Sequence, residues 1–168
     1  MRPFARILLI FLLVALFAGC DQATKSIAKR ELQFSASSSI FGGLVRLQYA
    51  ENDGGFLSIG SDLPAGVRRS FTFVLTMIVG GGFVVLLFSA DKVEIPKLLL
   101  FSMLLAGSAG NLIDRLFNHG RVVDFLILGT QTIHTGILNV ADMLITTSVI
   151  LLFIMELFHR RNPVDEGH

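Results

Sequence analysis

Charged residues are scarce in this 168-residue chain. Asp, Glu, Lys and Arg together make up 16% of the sequence, whereas a soluble domain carries about 25%. Hydrophobic residues make up 52%, and the mean hydropathy is positive. This composition leaves too little charge to cover a compact globule and too many apolar residues for a disordered chain. The sequence therefore predicts a membrane protein.

Other absences exclude further classes of protein. The 14 basic and 13 acidic residues nearly cancel, so no nucleic-acid partner is predicted. The single cysteine, Cys20, excludes a disulfide framework and a cysteine-rich metal site. The four histidines lack the spacing of a metal-binding motif, and no GxSxG elbow is present. The sequence thus predicts no metal and no cofactor. Tryptophan, a common anchor at membrane interfaces, is also absent.

Four largely uncharged stretches are candidates for membrane spans, because a helix needs about 20 residues to cross about 30 Å of hydrocarbon. The first must continue through Asp21 and Lys25, since the uncharged run before Asp21 is too short alone. One integral membrane domain covering 1–168 is predicted, with spans at about 7–28, 70–90, 97–116 and 137–158.

Basic residues at both ends and in the short 91–97 connection favour cytoplasmic termini by the positive-inside rule. The larger connections, about 29–69 and 117–136, then face outward. Residues 44–51 alternate partly between apolar and polar, which predicts a strand, with 56–59 as a returning strand and 131–135 as a further β segment. The predicted fold is mainly α: four transmembrane helices with a small extracytoplasmic β subdomain.

The N-terminus has an alternative interpretation as a lipoprotein signal peptide. Arg2 and Arg6 precede an apolar core, and residues 17–20 resemble a lipoprotein cleavage box. A cleaved lipoprotein would keep three further spans, which makes a lipid anchor redundant. We therefore favour an uncleaved first helix.

Polar residues gather at the predicted outward ends of the helices. A carboxylate at the centre of a span costs about 2.5–3.5 kcal/mol on insertion scales, so such residues are candidates for function. Asp21 and Lys25 have the i,i+4 spacing of a pair on one helical face. The third span closes with Asn111, Asp114 and Arg115, and the fourth opens with Asn139 and Asp142 on one helical face.

Asp124 lies within an apolar run, 122–127, where burial would raise the pKa of its carboxyl group. Two neighbouring carboxyl groups can share one proton, which is how aspartic proteases activate water. Asp124 and Asp142 are candidates for such a pair. The alternative for each acid is a purely structural role as a helix cap or as the partner of an arginine.

These residues resemble the motifs of the lipoprotein signal peptidases (signal peptidase II), which are membrane aspartic proteases of bacteria. Five pieces match in the family's order along essentially the whole chain: Asp21 to Lys25 (DQATK), Asn52 to Gly55 (NDGG), Gly107 to Arg115 (GSAGNLIDR), Val122 to Phe125 (VVDF) and Asn139 to Asp142 (NVAD). The chain departs from the family pattern at Asp53, at Met143 and in the segment 129–136.

The resemblance implies that Asp124 and Asp142 are the catalytic pair. It implies that Asn111 and Asn139 orient these carboxyl groups. Substrate-positioning and supporting roles fall to the remaining matched residues: Asn52, Gly54, Arg115, Asp21 and Lys25.

The implied substrate is a prolipoprotein with diacylglycerol on its cysteine, cut just before that cysteine. The implied location is the bacterial inner membrane, in contact with lipid, with the site at the outer face. We expect a monomer.

Two other functions fit the same acids. The first is a small proton- or cation-coupled transporter, although transport sites usually lie near the bilayer midplane between repeated halves. The second is a catalytically silent relative that binds lipopeptides, which would need Asn52 and Arg115 but neither acid.

Overall fold

The computed structural model describes residues 3–54 and 64–161. Four α-helices make up most of it: α1 (Pro3–Leu32), α2 (Ala65–Phe88), α3 (Ile95–Phe117) and α4 (Val140–Arg161). Three strands lie between them: β1 (Ser38–Ile40), β2 (Val45–Asn52) and β3 (Val122–Leu128). The predicted strand at 56–59 lies outside the described residues.

Within the described residues, four helices are long and apolar enough to cross a membrane, which confirms the predicted fold class. Their ends differ from the predicted spans by a few residues. The largest change is in α1, which begins at Pro3, continues to Leu32 and has 30 residues. At 1.5 Å per residue this helix is about 45 Å long, so it extends beyond the hydrocarbon core of about 30 Å.

The third helix is the centre of the bundle, because it packs on α1, α2 and α4. Two glycines bring its backbone close to its neighbours. A Cβ atom at Gly107 would lie 2.6 Å from the carbonyl oxygen of Ala141, and one at Gly110 would collide with the Asp21 carboxylate. The small residues of the 107–110 segment therefore serve close helix packing, as in other membrane bundles.

Arg6 ties the first helix to the turn between α2 and α3. Its guanidinium group donates hydrogen bonds of 2.7 Å to the carbonyl oxygens of Ala90 and Val93. A buried apolar cluster lies beside this contact and contains Ile10, Leu86, Ala90 and Leu98. These contacts fix the end of the bundle opposite the sheet.

The sheet is antiparallel, with strand order β1-β2-β3. The prediction of a strand at 44–51 is confirmed by β2. Strand β3 was not predicted, although it carries Asp124 and pairs with β2 from Val45↔Leu128 to Asn52↔Val122. A β-bulge between Leu47 and Ala50 shifts the register in the middle of this pairing.

The predicted β segment at 131–135 is wrong, since only an isolated bridge joins His134 to Gly129. The chain instead forms a local turn. The Thr130 N–H donates to the Ile133 carbonyl oxygen (2.8 Å), and the Ile133 N–H donates to the Thr130 hydroxyl oxygen (3.0 Å). These bonds satisfy within the turn the backbone groups that a strand would offer to a neighbour.

Candidate active site

The residues singled out in the sequence come together where α1, α3 and α4 meet the sheet. Helices α1 and α3 each contribute at least two of them, and α4 contributes Asp142, with Asn139 directly before it. The strands bring Asn52, at the end of β2, and Asp124, on β3. Seven of these side chains are buried: Asp21, Lys25, Asn111, Arg115, Asp124, Asn139 and Asp142.

Asp124 is held by two asparagines. The Asn139 Nδ2 atom donates to Asp124 Oδ1 at 2.6 Å, and the Asn52 Nδ2 atom donates to Asp124 Oδ2 at 3.1 Å. Burial raises the pKa of Asp124 from its usual value to about 6, and the charge of Asp142 adds to this rise. The two amide hydrogen bonds act in the opposite direction, because they favour the ionised carboxylate.

Asp142 lies in the first turn of α4, and Asn139 caps that turn. The Asp142 backbone N–H donates to Asn139 Oδ1 (2.9 Å), and the Asn139 backbone N–H donates to Asp142 Oδ2 (3.3 Å). This reciprocal pattern is a capping box with Asp in the place of the usual Glu or Gln. Asn139 therefore precedes the helix, which begins at Val140, instead of lying on its face as the sequence predicted.

Asn111 connects the two acids to the first helix. Its Oδ1 atom accepts hydrogen bonds from Lys25 Nζ (2.9 Å) and Asn139 Nδ2 (3.1 Å). Because both donors face the oxygen, the Nδ2 group must point the other way, and it donates to Asp142 Oδ1 at 2.9 Å. The two asparagines thus form one hydrogen-bonded bridge from Asp124 to Asp142.

Lys25 pairs with two buried acids. Its Nζ atom lies 2.8 Å from Asp21 Oδ2 and 2.9 Å from Asp114 Oδ2, which confirms the geometry predicted from the i,i+4 spacing of Asp21 and Lys25. Each acid also holds a backbone N–H group. Asp21 accepts from Ala141 at 2.8 Å, and Asp114 accepts from Val123 at 3.0 Å.

Asp114 was listed with the polar residues that close the third span, but its role in the site was missed, although it belongs to the matched 107–115 motif. Gln22 was missed as well, and its Nε2 atom donates to Asp114 Oδ1 at 2.8 Å. The available signal was helical spacing, because Asp114 lies three residues after Asn111 and four after Gly110, one turn further along α3.

Arg115 joins the third helix to the end of β2. Its Nη2 atom donates to the Gly54 carbonyl oxygen at 2.8 Å, and Nη1 donates to the Asn111 carbonyl oxygen at 3.2 Å. Asn52 turns the chain at the same place, since its Oδ1 atom accepts from the Gly54 N–H at 2.9 Å. Gly54 is buried within these contacts.

The site is rich in negative charge. The buried charged side chains of the described residues are four aspartates (21, 114, 124 and 142) and two cations, Lys25 and Arg115. With every group ionised the cluster would carry −2, so a single proton shared by Asp124 and Asp142 would halve this charge. The titrations of two such acids belong to the pair. Among residues 3–54 and 64–161, no three His, Cys, Asp or Glu side chains form a metal-binding group.

Comparison with known proteins places this arrangement in a family. The model of the family "Signal peptidase (SPase) II" matches residues 13–158. The chain is 30% identical over 160 residues to the lipoprotein signal peptidase of Staphylococcus carnosus (strain TM300), covering 95% of this chain and 96% of that protein. It is 36% identical to the lipoprotein signal peptidase of Chlorobium phaeovibrioides (strain DSM 265 / 1930), covering 86% and 87%.

Two solved bacterial membrane enzymes have the same fold. One superposes with a TM-score of 0.77 at 24% identity, covering 95% of this chain and 93% of the other. The second has a TM-score of 0.71 at 25% identity, covering 88% and 92%. The family match spans most of the chain and the fold agrees with it, so this multi-pass membrane protein belongs to the signal peptidase II family of peptidases.

Proposed function

We propose that this protein is an aspartic endopeptidase that removes signal peptides from diacylglyceryl-modified prolipoproteins, cutting before the lipidated cysteine. The observation that carries the proposal is the pair of buried carboxylates, Asp124 and Asp142, bridged by Asn111 and Asn139. The lipoprotein signal peptidases similar to this chain supply the substrate class. Family membership supplies the peptidase activity.

The proposed reaction is hydrolysis of one amide bond by water. The ionised member of the pair takes a proton from the water as the oxygen attacks the carbonyl carbon. The protonated member gives its proton to the amide nitrogen as the carbon–nitrogen bond breaks. The pair then holds one proton again, so no cofactor is consumed and none is needed.

The other predicted residues have supporting roles in this proposal. Asn52, Gly54 and Arg115 position the substrate at the end of β2, because Arg115 holds the Gly54 carbonyl group and Asn52 contacts Asp124. Asp21 and Lys25 support the site from α1. Asn111 and Asn139 orient the acids.

The depth of the site in the membrane suits a lipidated substrate. Asp21 is 15 residues after Arg6 in α1, which corresponds to about 22 Å at 1.5 Å per residue. If Arg6 marks one edge of a hydrocarbon core about 30 Å thick, Asp21 lies beyond the midplane, within about 8 Å of the opposite edge. Acyl chains on the substrate cysteine would hold the scissile bond at that depth.

We also propose a cellular location and an oligomeric state for the protein. The 168-residue chain is one membrane domain in the bacterial inner membrane, with both termini in the cytoplasm and the site at the outer face. It acts as a monomer surrounded by lipid. A position for the acids near the helix ends also speaks against a transporter, whose ion site would lie near the midplane.

The test is cleavage of a purified diacylglyceryl-modified prolipoprotein by the detergent-solubilised protein, followed by gel shift with a chelator present. Asp124→Asn and Asp142→Asn should each lower the rate about 10²–10⁴-fold, the usual contribution of an acid or base. The double variant should be no slower than the slower single one, because the two acids act as a unit. Asp91→Asn, an exposed acid in the α2–α3 turn, is the matched control.

A prolipoprotein without diacylglycerol should be cut poorly by the wild type. Cleavage at the wild-type rate by folded Asp124→Asn or Asp142→Asn would refute the aspartic mechanism. Mass spectrometry of the product would show whether the new N-terminus is the lipidated cysteine. Lipopeptide binding without any cleavage by the wild type would favour the silent relative.

A further inference from the structure

The segment between α1 and β2 exposes apolar side chains at the edge of the sheet opposite β3, the strand that carries Asp124. We call residues 33–45, which include β1 and the turn after it, the apolar hairpin. Phe34 is 93% exposed and Phe41 77%, and Ile40 and Leu44 are about half exposed. No charged residue occurs between Glu31 and Arg46. Large apolar side chains grouped in one exposed segment mark a surface that contacts a protein or a membrane.

The height of the sheet along α1 favours the membrane. Leu47 of β2 and Phe125 of β3 line a cavity of about 230 Å³ with Ala28, Leu32 and neighbouring residues of α1. Ala28 is 22 residues after Arg6, or about 33 Å along the helix axis. That distance matches the hydrocarbon thickness of about 30 Å, so the sheet lies at the boundary between acyl chains and headgroups.

The backbone at the tip of the apolar hairpin holds Phe41 outward in an unusual conformation. Phe41 has φ +52°, and the next two residues, Gly42 and Gly43, have φ +66° and +90°. A bulky residue in the left-handed region is strained, and such strain is found at functional positions. Apart from its chain neighbours, no atom of the described residues lies within 4 Å of a Cβ built at either glycine, so the tip projects away from this part of the protein.

The flanking charges and the edge of the sheet limit how deeply the tip can insert into the membrane. Arg46 borders the uncharged segment on its C-terminal side, where it can meet anionic headgroups, and on the other side Glu31 is paired with Arg30. β1 is an edge strand, and its unpaired backbone groups need water or headgroups. Only side chains can therefore enter the acyl region.

We propose that the apolar hairpin inserts Phe34, Phe41 and Leu44 into the headgroup–acyl boundary of the leaflet that it faces. The partner is lipid, and the contact holds the sheet that carries Asn52 and Asp124 against the membrane. This anchor depends only on the membrane-spanning fold. It is therefore independent of the proposed reaction and of which side of the membrane the site faces.

The absence of tryptophan from the chain makes a direct test possible. Phe41→Trp and Phe34→Trp would each be a single fluorophore, measured in vesicles of phosphatidylcholine and phosphatidylglycerol with bromine at different depths along the acyl chains. Ile150→Trp, lipid-exposed near the middle of α4, gives the hydrocarbon reference, and Lys92→Trp, in the exposed α2–α3 turn, gives the aqueous reference.

We expect both hairpin tryptophans to emit at shorter wavelength than Trp at position 92 and to be quenched most by the shallowest bromines. Quenching of the Ile150→Trp variant should instead be strongest with deep bromines. Emission and acrylamide quenching equal to those of Lys92→Trp would overturn the proposal. Blue-shifted emission that no brominated lipid quenches would overturn it too, because it would show burial against protein, such as a second copy.

A second readout tests whether the two aromatic rings hold the hairpin in the membrane. Phe34→Ser combined with Phe41→Ser removes the two aromatic rings without touching the acids. The reporter is Leu44→Trp, placed in this double variant and in the chain that keeps both phenylalanines. We expect quenching of this tryptophan by shallow bromines to be mostly lost in the double variant. Retention of the full quenching would show that the rings do not hold the hairpin in the membrane.

Discussion

Removing the buried ammonium group of Lys25 should destabilise the protein strongly. Lys25→Met keeps most of the apolar stem but loses ion pairs of 2.8 and 2.9 Å to Asp21 and Asp114. It also loses the 2.9 Å hydrogen bond to Asn111. The side chains of Lys25 and the two acids are 3%, 0% and 7% exposed, so water cannot replace the missing charge.

The expected magnitude follows from this burial. Breaking a buried ion pair by removing one partner costs about 3–5 kcal/mol, because the remaining charge is left uncompensated. Lys25 serves two acids, but each of them keeps a backbone N–H donor, from Ala141 to Asp21 and from Val123 to Asp114. We therefore expect the free energy of unfolding to fall by about 3–5 kcal/mol, the cost of one broken pair, and not by twice that amount.

Unfolding in detergent by increasing fractions of sodium dodecyl sulfate, followed by helical circular dichroism, measures this loss. Lys29→Met is the matched control, since Lys29 lies one turn further along α1 and is exposed. Adding Asp114→Asn to Lys25→Met should recover part of the stability, because the amide removes one of the two buried carboxylates that have lost their cation. Equal unfolding midpoints for Lys25→Met and Lys29→Met would refute the argument.

Three further predictions concern other parts of the molecule. Asn52→Ala removes a hydrogen bond that lowers the pKa of Asp124, so that pKa should rise and the maximal rate should fall. In the wild type we expect kcat/KM to fall on the alkaline side near pH 6, where the shared proton is lost, and in the variant this fall should move to higher pH. An unchanged pH profile of kcat/KM would contradict the argument. Gly107→Ala should cost about 1–3 kcal/mol of stability by pushing α4 away, whereas Gly80→Ala, with open space around it, should cost nothing in the same unfolding assay. Arg6→Met should lower the free energy of unfolding by about 1–3 kcal/mol, because two carbonyl groups of the α2–α3 turn lose their charged donor. An unchanged unfolding midpoint would show that water replaces the guanidinium group.

The helices and one strand follow from local sequence patterns. Length and apolar character predict the four spans, because both features belong to contiguous residues. The alternation at 44–51 predicts β2, which the structure has at Val45–Asn52. The pairing of Asp21 with Lys25 follows from helical spacing alone, and the structure shows it at 2.8 Å.

The strand that carries Asp124 does not follow from such a pattern. β3 begins with three buried residues, Val122 to Asp124, so its side chains show no alternation between water and core. A continuous apolar run of this length fits a strand or a piece of buried helix equally well. Pairing with β2, 70 to 83 positions earlier in the chain, decides between them.

The hydrogen-bond partners of Asp114 cannot be predicted from the sequence for a related reason. Gln22 lies 92 positions away in sequence, and the Val123 N–H belongs to a strand that was itself unpredicted. Contacts of this kind depend on how α1, α3 and β3 come together. Motif spacing identified the acids to consider, but only the packed structure shows which backbone groups they hold.

These backbone contacts indicate how one buried cation can position two acids. Asp21 holds the N–H of Ala141, the residue before Asp142, and Asp114 holds the N–H of Val123, the residue before Asp124. Both holding carboxylates are paired with Lys25, which also fixes the amide of Asn111. Loss of the Lys25 charge should therefore loosen the start of α4 and the start of β3 together. The proposed catalytic acids lie on two separate elements, and the Lys25 ammonium group is a common anchor for both.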